Sequence, residues 1–149
     1  MKKTLLTLAL LATFGIANAL DLGITGGRDY AKPHSNDYGV SVGQQMGDFS
    51  VAATYDDVKH LNFKENRYGL VAGYDVYKFG GNKVTAKVGG AFIDETGVNK
   101  GFAGSLGAGL TIPVAKNVAL TADYRYQQTQ KRIDSYTGNN VSAGIKISF

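Results

Sequence analysis

The sequence predicts an all-β fold: a closed, eight-stranded, antiparallel up-and-down β-barrel that crosses a membrane with its strands. Three observations predict it. After residue 19, apolar residues alternate with small or polar ones at a period of two through most of the chain. The connections between the alternating segments are short and long by turns. One face of each segment is apolar, while the other carries Gly, Ser, Thr and a few charges. Composition agrees: 20 Gly, nine Tyr and seven Phe, with only two Pro in 149 residues, suit curved, twisted strands better than helices.

Residues 1–19 are read as lying outside the fold. Met1-Lys2-Lys3 is a positive start, 4–16 is almost wholly apolar, and Ala17-Asn18-Ala19 has the small-x-small pattern of a signal peptidase site. This order is that of a cleaved secretory signal peptide. As a transmembrane anchor, a run of about 13 residues is too short to cross roughly 30 Å of hydrocarbon. No Cys stands at the cleavage position, so a lipid anchor is not expected. Residues 20–149 then form one barrel domain. The formal charge of +4 includes Lys2 and Lys3, so 20–149 keeps +2, too little to point to nucleic acid. Without Cys there is neither a disulfide framework nor a thiolate metal site. No later segment approaches 18 consecutive apolar residues, which excludes a helical membrane protein.

Taken in order, the first segment sets Leu20, Leu22 and Ile24 against Asp21, Gly23 and Thr25. The second sets Tyr38, Val40 and Val42 against Gly39, Ser41 and Gly43. Gly47-Asp48 is a two-residue hairpin turn into the third, where Phe49, Val51, Ala53 and Tyr55 alternate with Ser50, Ala52 and Thr54. The fourth sets Tyr68, Leu70, Ala72, Tyr74 and Val76 against Gly69, Val71, Gly73 and Asp75. After a tight connection over 79–83, Val84, Ala86, Val88 and Phe92 oppose Thr85, Lys87, Gly89 and Ala91. The sixth sets Phe102, Leu106, Ala108, Leu110 and Ile112 against Ala103, Ser105, Gly107, Gly109 and Thr111. A third tight connection spans 113–117, where Pro113 fits a strand end because it has no N–H for the ladder. Val118, Leu120, Ala122, Tyr124 and Tyr126 then alternate with Ala119, Thr121, Asp123, Arg125 and Gln127. The last segment sets Val141, Ala143, Ile145, Ile147 and Phe149 against Ser142, Gly144, Lys146 and Ser148.

Four longer, more polar loops are expected over 28–37, 56–67, 94–101 and 128–140. Three short turns at one end and four longer loops at the other is the layout of a bacterial outer-membrane barrel, with both termini on the periplasmic side. A connection centred on Gly81 would put Val76 opposite Ala86 and Asp75 opposite Lys87. One centred on Ala115 would put Ile112 opposite Val118 and Ser105 opposite Arg125. A soluble barrel would turn the apolar face inward; here it is assigned to lipid. The polar face is small enough for a narrow interior, and its charges balance: Asp21, Asp75 and Asp123 against Lys87, Arg125 and Lys146. Aromatic residues also gather near strand ends on the apolar face, as membrane interfaces favour. Tyr38, Tyr55, Tyr68, Phe92, Phe102 and Tyr126 lie toward the long loops, Phe49 and Phe149 toward the short turns. In hydrocarbon an open sheet edge is not viable, so the first strand must pair with the eighth, bringing Asp21 near Lys146.

The final segment, Val141-Ser142-Ala143-Gly144-Ile145-Lys146-Ile147-Ser148-Phe149, resembles the C-terminal signature of bacterial outer-membrane barrels, in which alternating apolar positions end on an aromatic residue. With the leader and the eight segments, 20–149 resembles the small OmpA/OmpX-type and NspA-like barrels of the porin-like outer-membrane class. The resemblance implies the outer membrane of a Gram-negative bacterium, contact with its lipid and lipopolysaccharide, and a monomer. It also implies recognition of Val141, Ala143, Ile145, Ile147 and Phe149 by the outer-membrane assembly machinery. Because the chain ends at Phe149, the peptidoglycan-binding domain of full OmpA-type proteins is not expected.

An interior of this size is filled by side chains, which argues against a diffusion pore. The six interior charges are read as a paired plug in preference to a gated ion path, since unpaired buried charges are costly. Enzyme chemistry would rest on the only two histidines, His34 and His60. Pro33-His34-Ser35-Asn36-Asp37 superficially resembles the His-x-Ser-Asn motif of lipid A deacylase barrels, but His34 and Ser35 are adjacent and would point to opposite faces. His60 among Asp56, Asp57 and Lys59 reads as a solvated cluster, not a metal site. No catalytic residue, metal or cofactor is therefore assigned. In the loops, Lys59, His60, Lys64 and Arg67, with Lys131, Arg132 and Tyr136, could meet lipopolysaccharide phosphates. The leading expectation is a non-enzymatic barrel serving membrane integrity or surface interaction. A lipid A-modifying enzyme and an exported soluble barrel with an apolar ligand are the alternatives.

Overall fold

A computed structural model describes residues 20–30, 34–59, 64–95, 100–130 and 137–149. Residues 1–19, together with Pro33, His60, Lys131, Arg132 and Tyr136, lie outside the described residues. The strands are β1 (Leu20–Asp29), β2 (Ser35–Met46), β3 (Phe49–Lys59), β4 (Lys64–Phe79), β5 (Asn82–Glu95), β6 (Lys100–Ala115), β7 (Val118–Thr129) and β8 (Gly138–Ser148). Each pairs antiparallel with the next, and β8 returns to β1 to close the barrel. At the seam, Asp21 faces Ser148 and Gly23 faces Lys146, and the Phe149 N–H donates to the Leu20 carbonyl at 2.9 Å. Closure leaves no edge strand, which a hydrocarbon surrounding requires.

The burial pattern is inverted relative to a water-soluble barrel. Ile24, Leu106 and Leu70 are 67%, 65% and 61% exposed, whereas Glu65 and Arg67 are fully or almost fully buried. The buried apolar side chains among the described residues are few: Ala53, Val58, Ile93, Ala103 and Ala119. Period-two patterning produces this directly, because successive side chains leave opposite faces of a strand.

All three short connections are two-residue turns: Gly47-Asp48, Gly80-Gly81 and Lys116-Asn117. Gly47, Gly80 and Gly81 have φ of 65°, 53° and 86°, the left-handed region that tight hairpins use. Two of these connections correct the expected register. In the second hairpin the ladder steps from Asp75↔Thr85 to Tyr77↔Val84, so Val76 is an extra, bulged residue. In the third it steps from Pro113↔Ala119 to Ala115↔Val118, which makes Val114 the extra residue. Tyr74, not Val76, therefore faces Ala86, and Asp75 faces Thr85 while Lys87 faces Gly73. Likewise Ile112 faces Leu120, and Ser105 faces Gln127 in place of Arg125. A five-residue loop and a two-residue turn with a bulge use the same stretch of chain, so residue count alone does not separate them. Both corrections shift the register by two, so every side chain keeps its expected face and only the partners change.

The four long connections are also shorter than expected, because the ladders run on past the apolar stretch. Asp29, Asp37, Asp56, Arg67, Glu95 and Asn140 all belong to strands.

Candidate functional site

The lumen encloses a cavity of about 200 Å³ lined by polar and small side chains, among them Asp21, Ser41, Thr54, Thr85, Lys87 and Asp123. Toward the short turns, Lys146 Nζ donates to Asp21 Oδ2 at 3.1 Å, and Ser148 Oγ donates to the other Asp21 oxygen. Asp75 is held by Thr85 Oγ1 at 2.8 Å, Gln45 Nε2 at 3.4 Å and Lys83 Nζ at 3.3 Å. Lys87 on β5 donates to Asp123 on β7, across β6. Gly109 makes room for that pair: a Cβ there would overlap Asp123 Oδ1 and lie 2.8 Å from Lys87 Nζ. Asp75 and Lys87, expected to pair with each other, thus have separate partners, because the Val76 bulge moves Asp75 two positions along β5.

The loop half of the lumen holds a second charged layer. Arg125 reaches Asp56 Oδ2 with Nη1 at 3.3 Å and Nη2 at 3.5 Å. Arg67 sits between two acids: its Nη2 is 2.7 Å from Asp29 Oδ2, and its Nε donates to Glu65. Asn140 Nδ2 donates to Asp37 Oδ2 at 2.7 Å across the seam region. Asp37 Oδ1 and the Ser35 hydroxyl are buried without a hydrogen-bond partner among the described residues. Five carboxylates here (Asp29, Asp37, Asp56, Glu65 and Glu95) share the space with two guanidiniums, Arg67 and Arg125.

Of the six charges expected inside, all face the lumen, but this upper layer was missed apart from Arg125. Its signal was parity. Asp29 continues the series 21, 23, 25, 27; Asp37 continues 39, 41, 43; Arg67 and Glu65 continue 69, 71, 73. Arg67, expected in a solvated loop, is only 1% exposed, because β4 carries it inward.

On the outer face, Tyr55, Tyr68, Phe92 and Phe102 stand opposite one another in a single row across β3 to β6. The Tyr55–Tyr68 and Phe92–Phe102 rings both lie 5.2 Å apart. Tyr38 and Tyr126 are exposed on the same side, and Phe49 and Phe149 are exposed toward the short turns. Tyr74, Tyr77 and Phe79 join that lower group, with Tyr77 and Phe79 stacked at 5.6 Å. The bulge explains why sequence missed Tyr77: it breaks the alternation that would have assigned its face. Val141, Ala143, Ile145 and Ile147 form the outer face of β8, and Phe149 follows directly after the strand.

His34 and Ser35 diverge. His34 is exposed with its ring against Tyr30, while Ser35 is buried on the lumen side. That geometry offers no nucleophile and base in contact. The charged interior is likewise the reverse of what a soluble barrel with an apolar ligand would need.

No protein-family model and no curated protein matches the chain. Solved structures do. Neisserial surface protein A superposes with a TM-score of 0.72 at 18% identity, covering 88% of this chain and 96% of its own. The N-terminal β-barrel domain of Pseudomonas aeruginosa OprF gives 0.68 at 19% identity, over 89% of this chain and 98% of its own. The outer membrane protein Ail of Yersinia pestis, in a phospholipid nanodisc, gives 0.59 at 12% identity, over 89% and 100%. At such identities the likeness establishes the fold, that of the small eight-stranded outer-membrane barrels.

Proposed function

We propose that the chain is a non-enzymatic, monomeric barrel of the Gram-negative outer membrane that contributes to membrane integrity or surface contact at its loop end. One observation carries this reading: an apolar outer face surrounds a lumen crossed by two layers of charged side chains, tied by ion pairs such as Lys87–Asp123 and Arg67–Asp29. Such an interior favours a plug over a channel, since paired, hydrogen-bonded charges fill the space that ions would need. The loop-end surface is then where contacts with lipopolysaccharide or a partner would form. The outer face of β8 and Phe149 supply the segment that the assembly machinery would read.

Reconstitution in a planar bilayer tests the plug. Baseline conductance is expected, and a stable large-step conductance would overturn the reading. The enzyme alternative is tested by lipid A mass in cells overproducing the chain. An unchanged spectrum is expected, while a mass shift abolished by His34→Ala would replace the proposal.

A further inference from the structure

Resting on that membrane-barrel reading, we infer that the outer face of β1 to β4 at the loop end binds the phosphate groups of an anionic outer-leaflet lipid. Arg28 pairs with Asn36, Asn36 with Lys59, and Lys59 with Lys64. All four side chains point outward and are exposed. With strands about 4.8 Å apart, this is one row roughly 15 Å wide.

The row is electrostatically incomplete. Lys59 and Lys64 stand directly opposite on one face, an arrangement that is destabilising unless an anion lies between them. Among the described residues no carboxylate comes within ion-pair distance of Arg28, Lys59 or Lys64. Asp57 lies on the same outer face one pairing row nearer the membrane, opposite Tyr38 and Asn66. The cations rest instead on rings, Lys59 over Tyr38 and Arg28 over Tyr30, each at 5.8 Å. Across the barrel the situation differs, since Lys100 is paired with Asp94 at 3.4 Å.

Charge is also sorted across the barrel wall. The same strand ends send Asp29, Asp37 and Glu65 inward and Arg28, Lys59 and Lys64 outward. Apart from Asp57, the bases are thus held away from the acids described at these strand ends and toward whatever surrounds the barrel.

Height selects the occupant. The row lies four residues beyond Ile24, Val40, Tyr55 and Tyr68, about 10 Å along the barrel axis after strand tilt. Tyr55 and Tyr68 mark the interface level, so the cations stand where lipid phosphates lie, directly above an apolar face that acyl chains would cover. A lipid-borne phosphate satisfies both halves of this surface. Arg28 supplies a planar fork and the lysines supply point charges.

The test uses the full barrel refolded in phosphatidylcholine nanodiscs doped with bisphosphorylated lipid A, with retained lipid counted by native mass spectrometry. Retention on the parent is expected, with a loss of about tenfold or more in the triple change Arg28→Ala, Lys59→Ala, Lys64→Ala. The triple change to the opposite basic residue (Arg28→Lys, Lys59→Arg, Lys64→Arg) should retain lipid, and Lys100→Ala should behave as the parent. Lipid A stripped of its phosphates should not be retained. Equal retention by parent and triple Ala variant overturns the site, as does equal retention of the dephosphorylated lipid. Displacement of lipid A by millimolar inorganic phosphate would make it a soluble-anion site and overturn the lipid assignment. An unheated gel separates the two levels of failure. If the parent migrates as a folded barrel but binds no lipid A, only this inference falls; if it never folds in a bilayer, the membrane-barrel reading falls with it.

Discussion

Arg67 shows most plainly how single residues are used here. It is buried between Asp29 and Glu65, and removing one partner from a buried ionic cluster strands the others. Arg67→Leu is therefore expected to cost about 3–5 kcal/mol, read from the urea midpoint of the barrel refolded in lipid. A midpoint within about 0.5 kcal/mol of the parent would show that the cluster is solvated. Lower in the lumen, the partner assignments make a paired prediction. Lys87 and Asp123 should show a coupling energy of about 1 kcal/mol in a double-mutant cycle, discounted because Lys87 is a third exposed. Asp75 and Lys87 should show none, because they hold different partners. Coupling in the second cycle and not the first would mean that the hairpin has the unbulged register.

At the level of elements, the two bulges explain which sequence rules held. Parity survives a shift of two residues, so the inner and outer faces of β4 to β7 were legible from alternation alone. Partnership does not survive it, and neither Val76 nor Val114 carries a mark that distinguishes a bulged residue from a loop residue. The prediction is asymmetric. Deleting Val76 should regularise the β4–β5 ladder and leave a barrel whose unheated gel mobility matches the parent. Deleting Val71, in mid-strand, should abolish the folded band, because one side of β4 would exchange faces. Survival of the Val71 deletion would show that β4 does not pair in this register. Alternation alone assigns the strand ends beyond the apolar stretch to loops, because the outward residues turn polar there. The hydrogen-bond ladder continues regardless, and it is what delivers Asp29, Asp37, Glu65 and Arg67 to the lumen.

For the whole molecule, the decisive property is which solvent each face meets. Leu106 lies near the middle of β6 and is 65% exposed, with Leu110 and Phe102 on the same face. If lipid covers it, Leu106→Arg should cost about 2–4 kcal/mol in lipid-refolded barrel, the penalty for a charge near the bilayer midplane. If water covers it, the same change should fall within about 0.5 kcal/mol of neutral. Chemical denaturation in vesicles distinguishes the two. The closed sheet, with β8 on β1, makes the outer face continuous and lets an apolar exterior coexist with buried charge.

Alternation by itself determined the eight strands, their faces, the need for closure and the proximity of Asp21 to Lys146, because all of these follow from a period of two and from satisfying the backbone in hydrocarbon. Tertiary structure decided the remaining carboxylate–cation pairs, the joining of Arg67 and Arg125 with their acids into a second layer, and the alignment of Arg28, Lys59 and Lys64 in one outward row. The physical reason is that parity is a local property of one strand. Partnership across a barrel depends on register, and a single bulged residue can reset register without disturbing the pattern on either side of it.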